Sequence, residues 1–163
     1  MSPSDDEIER YARQIIVPGI GVQGQERLLG AHVLVVGAAR GVAQASLYLR
    51  AAGVNVVNDP ADLAACSPAP SAVVVAGADC LSPAIHRLLI SCGLPLCWYV
   101  LEQGGFTSGC HPQAPMPHAA ASSHADAIHE ALHDAAACDA AAVACAFIVG
   151  LASFPGPFQC NLD

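Results

Sequence analysis

The sequence predicts an α/β fold with three layers, in which helices cover both faces of a small, largely parallel sheet. Short continuous runs rich in valine alternate with segments of helical character along the chain. Such runs are typical of strands that are buried on both faces, as strands of parallel sheets are. The alternation favours a Rossmann-like architecture with right-handed crossovers.

Residues 1–30 predict two N-terminal helices. Ser4 and Glu7 form a capping-box pattern where the first helix begins. Pro18 and Gly19 end that helix, and a short second helix is expected to stop at Gly30. The apolar side chains of the first helix recur at helical spacing: Ile8, Tyr11, Ile15 and Ile16.

Residues 31–110 predict the Rossmann-like core. Its four apolar runs are expected to be strands: His32–Val36, Val54–Val57, Ser71–Ala76 and Leu96–Val100. The segments between them are expected to be helical: 41–52, 61–65 and 83–92. Residues 111–163 predict loop and alanine-rich helices, with a loop and a short strand over 104–117 and helices over 121–137 and 139–152. A chain of 163 residues fits one domain, residues 1–163.

Composition narrows the class of protein. Fourteen acidic residues against six basic ones give a net charge of −8, so nucleic acid is not an expected partner. The most apolar run, 140–152, is shorter than the roughly 20 residues that a membrane span needs, which predicts a buried or subunit-facing helix. The polar, acidic N-terminus does not resemble a signal peptide, and a cytoplasmic location is expected.

Several motifs occur in a characteristic order. RYARQ is followed by GVQGQERLL and VLVVG, then by SLYLRAAGV, SAVVVAGAD and GLPLCWYV with GGF behind it. In this order the motifs resemble the ThiF/MoeB/HesA family, bacterial relatives of ubiquitin-activating enzymes, over about residues 6–57 and 71–106. The resemblance implies that Mg-ATP is used to adenylate the C-terminal glycine of a β-grasp sulfur-carrier protein.

The phosphate loop departs from the family pattern. The four glycines of G-x-G-G-x-G fall on Gly37, Ala39, Arg40 and Val42, so three of them are missing. Glycine is needed there because a Cβ keeps phosphates away from the N–H groups at the start of the helix. Arg40 offers a charge for a phosphate, but the loop as a whole predicts loss of nucleotide binding.

The other nucleotide-binding parts are reduced as well. The family's S-N-L-x-R-Q segment is absent, and the chain contains no lysine. Asp59 lies about 20 residues beyond Gly37, the usual offset of a ribose-binding acid, although an Asn-Asp-Pro turn is the alternative. Asp79 aligns loosely with the family's magnesium-binding aspartate, and the family's C-x-x-C zinc motifs are missing.

Arg13 matches the arginine that, in the family, reaches across a dimer into the neighbouring ATP site. The alternatives are a solvated helix face or a local pair with Asp6 or Glu9. Arg13 and Asp79 are therefore the candidate catalytic residues. The high apolar content of 54% also predicts a dimer, either of two copies or with an intact family member.

A cluster of histidines and a cysteine forms a second candidate site. His129 and His133 are four residues apart on a predicted helix, so one metal ion can contact both. Cys110 and His118 are candidates to complete the set, while exposed histidines are the alternative. Cys110 also precedes a histidine in a predicted loop, which favours a reactive thiol. Most of the eight cysteines are expected to be reduced and buried.

These observations favour a truncated, catalytically impaired ThiF/MoeB-like protein that acts as a dimerisation or partner-binding subunit, with no cofactor expected. Its partner is another copy, an intact family member or a β-grasp carrier protein. One alternative is an active adenylyltransferase of such a carrier that uses ATP and magnesium in a remodelled site. A second alternative is a small metal- or thiol-binding protein.

Overall fold

A computed structural model describes residues 3–63, 69–77, 87, 89, 91, 93–102, 105–111, 127–150 and 158–161. Its helices are α1 (Asp5–Ile15), α2 (Gly21–Gly30), α3 (Ala39–Ala51) and α4 (Ala127–Val149). Its strands are β1 (His32–Gly37), β2 (Asn55–Val57), β3 (Ala72–Ala76), β4 (Leu96–Glu102), β5 (Gly105–His111) and β6 (Phe158–Asn161). Where a helix was predicted over 61–65, the described part is a 3₁₀ turn at Pro60–Leu63, and residues 64 and 65 lie outside the described residues.

The six strands form one sheet in the order β2-β1-β3-β4-β5-β6. The strands β2, β1, β3 and β4 are parallel to one another, whereas β5 is antiparallel to β4 and β6 is antiparallel to β5. The predicted α/β class with a largely parallel sheet is therefore confirmed. The strand β6 was not predicted, and β5 is longer than the expected short strand because pairing with β4 holds its glycine-containing residues extended.

The core has one apolar layer on each face of the sheet. Val33 and Val35 point toward α3 and α4, while Leu34 and Val36 point to the opposite face. Leu89 packs on that opposite face, and the backbone at residues 87, 89 and 91 is helical as predicted. The other residues of the helix predicted over 83–92, namely 83–86, 88, 90 and 92, lie outside the described residues.

The N-terminal helices pack on each other, α2 lies against α4, and both contact the C-terminal end of α3. Ser4 and Glu7 make both hydrogen bonds of the capping box, so the predicted start of α1 is confirmed. Tyr11 is buried, and the Gln14 Nε2 atom donates to the Ala51 carbonyl at 3.4 Å. Ile16 remains 78% exposed, so the apolar face of α1 is only partly covered by this chain.

The alanine-rich segment forms one helix and not two. The prediction of separate helices over 121–137 and 139–152 is wrong, because α4 runs without a break through residue 138. No glycine or proline interrupts residues 127–149, and alanine has the highest helix propensity. Residues 121–126, 151 and 152 lie outside the described residues.

Among the described helices, α4 is the one long and apolar enough to meet the length and composition of a membrane span, over Glu130–Val149. It packs on the sheet and on α3 through a buried stripe of mostly small side chains. The stripe consists of Leu132, Ala136, Ala137, Ala140, Ala141 and Ala144. A core helix in such a position has the same composition as a span.

Candidate functional site

The turn after β1 occupies the position of the family's phosphate loop. Gly37 has a φ of +130°, and a Cβ on it would overlap the carbonyl oxygen of Ala76. The next residue, Ala38, donates its N–H to that same oxygen at 2.7 Å. The glycine is thus required for the close approach of β1 and β3, whether or not a ligand is bound.

The start of α3 lies against a buried aromatic side chain. Gly41 is buried, and a Cβ there would overlap the hydroxyl oxygen of Tyr99 on β4. The Tyr99 side chain is fully buried, and its hydroxyl lies 2.9 Å from His133 Nδ1 on α4. The two rings meet edge to face with centroids 5.8 Å apart. Tyr99 therefore fills the space next to the first turn of α3.

Arg40 is held by two carboxylates of α4. Its Nε and NH2 atoms donate to the two carboxylate oxygens of Asp134 at 2.9 and 2.7 Å, a bidentate pair. Its NH1 atom lies 3.2 Å from Glu130 Oε2. The hydrogen bonds with Arg40 lower the pKa of the Asp134 carboxyl, and those with Asp134 raise the pKa of Arg40. The cation predicted to face a phosphate already has two anionic partners.

This arrangement changes the electrostatics of the loop. One guanidinium and two carboxylates leave a net negative charge beside the first turn of α3. Like charges repel, so Asp134 and Glu130 oppose the approach of a polyphosphate to Arg40. Carboxylates are also favourable near a helix N-terminus, because its first N–H groups carry a partial positive charge.

Two further polar contacts fix α4 along its length. The Ser108 hydroxyl on β5 donates to Asp139 Oδ2 at 2.5 Å. Near the C-terminal end, the Arg27 NH1 atom of α2 donates to the Val149 carbonyl at 2.7 Å. Because α4 is held at its N-terminal half, its middle and its end, it is a fixed part of the fold beside the phosphate loop.

The acidic residue after β2 takes part in its own turn. Asp59 Oδ1 accepts the N–H of Ala61 at 2.8 Å, as the Asn-Asp-Pro alternative requires. The neighbouring Asn58 amide donates to the Val35 carbonyl at 3.3 Å and to the Ser46 hydroxyl at 3.1 Å. A ribose contact by Asp59 stays a prediction.

Only one of the two candidate catalytic residues, Arg13, lies within the described residues. Arg13 lies exposed in the last turn of α1. The Arg10 guanidinium, one turn earlier, lies over the Tyr11 ring at 5.4 Å from its centroid. Asp79 lies outside the described residues, so its role and the action of Arg13 on a partner stay predictions.

The predicted histidine and cysteine cluster is only partly described. Within the described residues, no group of three or more His, Cys, Asp or Glu side chains is arranged to hold a metal ion. His133 faces Tyr99, while His118 and the side chain of His129 lie outside the described residues. The expectation that Cys110 lies in a loop is wrong, because it is a buried residue of β5.

Sequence reasoning missed four residues of this region: Cys97, Tyr99, Glu130 and Asp134. The spacing of Glu130 and Asp134 places two carboxylates on one face of a helix, and this can be predicted from the sequence. Their contact with Arg40 cannot be predicted in this way, because 94 residues separate Arg40 from Asp134. The pairing of Cys97 with Cys110 required knowing that β5 is antiparallel to β4.

Comparison with known proteins shows relatives over part of the chain. The probable adenylyltransferase/sulfurtransferase MoeZ of Mycobacterium tuberculosis is 50% identical over 54 residues, which are 33% of this chain and 14% of MoeZ. The adenylyltransferase and sulfurtransferase uba4 of Aspergillus niger is 51% identical over 53 residues, 32% of this chain and 11% of uba4. MOCS3 of Anopheles gambiae, of the same description, is 57% identical over 52 residues, 32% of this chain and 12% of MOCS3.

The matched segment thus spans about a seventh or less of these curated relatives. No family model matches the chain. Among solved structures, the crystal structure of selenomethionine PaaA superposes with a TM-score of 0.63 and 12% identity. The superposition covers 99% of this chain and 75% of PaaA, and at this identity it shows a shared fold alone.

Proposed function

We propose that this chain is a catalytically impaired relative of the ThiF/MoeB-family adenylyltransferase/sulfurtransferases. Its similarity to these proteins extends over a third of its length. It acts as a dimerisation or partner-binding subunit and leaves nucleotide chemistry to its partner. The observation that carries the proposal is the pairing of Arg40 with Asp134 and Glu130 beside the degenerate phosphate loop.

Three contacts support the loss of nucleotide binding. The two carboxylates neutralise Arg40 and add a negative charge where the family binds phosphates. Tyr99 packs on Gly41 and leaves no room for even a methyl group there. The helix α4 packs alongside α3, and the Tyr99–His133 contact ties α4 to β4. A nucleotide would therefore have to compete with contacts made within the chain.

Exposed apolar side chains support a partner surface. Most lie on α1, on the turn after it and on the outer side of α3. They are Ile8, Ile16, Val17, Val22, Leu47 and Tyr48. A contiguous patch of large apolar side chains is typical of an association site, and we propose that those on α1 and on the turn after it form such a patch. Two copies related by a twofold axis are the simplest assembly that covers them.

Light scattering tests the dimer. We expect a mass of two chains at high concentration, and Ile16→Asp should lower it toward one chain because a carboxylate would be buried without a partner. Ser71→Asp, which adds the same charge to an exposed position at the start of β3, is the matched control and should leave the dimer intact. A stable single chain for the unmodified protein would contradict the homodimer.

The helper role is tested with an intact relative. Adding this chain should raise the relative's rate of carrier adenylation, because Arg13 is proposed to reach the partner's nucleotide. Arg13→Ala should remove that stimulation, while Arg10→Ala, on the same helix, should retain it. No stimulation, or equal loss in both variants, would contradict the role of Arg13.

An active adenylyltransferase is the second candidate function, favoured by the description of the relatives. It requires that a remodelled site binds Mg-ATP and transfers adenylate to the terminal carboxylate of a β-grasp carrier protein, releasing pyrophosphate. Carrier-dependent pyrophosphate exchange by this chain alone would establish that function and would overturn the impaired one.

A further inference from the structure

We propose that Cys97 and Cys110 form a redox-active dithiol that a hydroperoxide converts into a disulfide across β4 and β5. The two residues are direct partners in the antiparallel register of these strands. Their sulfur atoms lie 3.0 Å apart, and both side chains are buried between the sheet and α4.

The strand geometry already suits the bond. Directly opposed residues of an antiparallel pair have Cα atoms roughly 4.5 or 5.5 Å apart, depending on their hydrogen-bonding pattern. Both spacings fall within the roughly 4.4–6.8 Å that a disulfide spans. The sulfurs need to approach by about 1 Å to reach the bonded distance near 2.05 Å. Rotation of the side chains supplies this movement, and the strands can stay in place.

The two thiols are chemically different. The Cys97 thiol donates a hydrogen bond to the Cys110 sulfur. This bond lowers the pKa of Cys110, whereas the same contact and burial raise the pKa of Cys97. Cys110 is also 6% exposed, and Cys97 is fully buried. Because the thiolate is the nucleophile, Cys110 is the sulfur that reacts first.

The oxidation proceeds in two steps. The Cys110 thiolate attacks the terminal oxygen of the hydroperoxide, the O–O bond breaks, and a proton completes the leaving alcohol, or water when the oxidant is hydrogen peroxide. The Cys110 sulfenic acid is then attacked by the Cys97 sulfur, the S–O bond breaks, and the thiol proton leaves with the oxygen as water. Two thiols lose two electrons, and the peroxide bond accepts them.

A third cysteine lies on the covering helix. Burial raises the pKa of Cys145 to about 11, so this residue stays a thiol at neutral pH and does not compete as a nucleophile. Cys138, also on α4, is half-buried and offers a matched control cysteine on the same helix.

Peptide mapping tests the pair directly. Folded full-length protein is treated with one equivalent of hydrogen peroxide, unfolded in the presence of an alkylating reagent, and digested. Trypsin is unsuitable because no lysine or arginine follows Arg87, whereas chymotrypsin can cut after Tyr99 and Phe106, between the two cysteines. We expect linked peptides that join Cys97 to Cys110 and that a dithiol reductant separates.

Serine variants of single cysteines test which sulfur takes part in each of the two oxidation steps. Cys138→Ser should retain the linkage, and Cys110→Ser should lose it. Cys97→Ser should leave a sulfenic acid on Cys110 that a dimedone reagent traps. Recovery of Cys97 and Cys110 as alkylated thiols after peroxide is consumed would overturn the proposal, and so would a link from Cys110 to Cys145. The mapping of the unmodified protein decides the matter even if a serine variant does not fold.

Discussion

Adding one methyl group at Gly41 tests whether Tyr99 fills the space beside the phosphate loop. The new Cβ would overlap the Tyr99 hydroxyl oxygen and lie 3.0 Å from the Ala76 Cβ. Tyr99 must then move, and its contact with His133, 2.9 Å in the native protein, is lost. The Gly41→Ala variant should therefore be less stable although alanine is the better helix former.

The expected loss follows from three contributions. Overpacking a buried position costs about 1–3 kcal/mol. Loss of the buried hydrogen bond adds about 1 kcal/mol, and the gain in helix propensity offsets about 1 kcal/mol. The net loss is about 2 kcal/mol, which in a chain of this size lowers the midpoint of thermal unfolding by roughly 4–8 °C.

Urea unfolding followed by circular dichroism measures this difference. Gly30→Ala is the matched control, because a Cβ at that residue of α2 meets no atom within 4 Å, and it should be neutral or slightly stabilising. Tyr99→Phe should partly relieve the effect of Gly41→Ala, since the overlapping oxygen is removed. A Gly41→Ala protein as stable as the native one would refute the packing of Tyr99 on α3.

Three other outcomes are expected. The hydrogen bonds with Arg40 lower the pKa of Asp134 below its usual 3.8. The stability that this pair contributes is therefore present above pH 3.8 and is lost as the pH falls further. In urea unfolding at a series of pH values, Asp134→Asn should weaken the fall of the unfolding free energy in acid. Burial raises the pKa of Cys145 from 9.0 to about 11. The stability that this buried thiol contributes is therefore complete below pH 9.0 and is lost as the pH rises toward 11. Cys145→Ala should weaken the fall of the unfolding free energy in alkali, and an unchanged pH dependence would contradict the burial of this thiol. Ser108→Ala removes the hydrogen bond to Asp139 and should cost about 1–3 kcal/mol in the same assay, whereas a neutral result would show that this contact does not hold α4.

Local signals were sufficient for the N-terminal helix and the parallel strands. Ser4 and Glu7 define the start of α1 because the capping box lies within one turn. The run from His32 to Val36 predicts β1 to within one residue, since continuous branched apolar residues suit a strand covered on both faces. In each case the residues that decide the structure are neighbours in sequence.

The candidate site depends on contacts between distant residues. The glycines of β5 carry no strand signal of their own, so neither its pairing with β4 nor the meeting of Cys97 and Cys110 was predicted. The break assumed near residue 138 was also a local inference, whereas Asp139 is held within α4 and contacts Ser108. The missing glycines indicated a degenerate phosphate loop, but they did not indicate that Arg40 pairs with carboxylates of α4.

Calorimetric titration of the full chain with Mg-ATP tests the proposed loss of nucleotide binding most directly. Because Asp134 and Glu130 hold Arg40, and Tyr99 packs on Gly41, we expect no heat beyond that of dilution. A saturable isotherm with a Kd in the micromolar range, which corresponds to about −8 kcal/mol, would contradict the loss of nucleotide binding and the impaired function built on it.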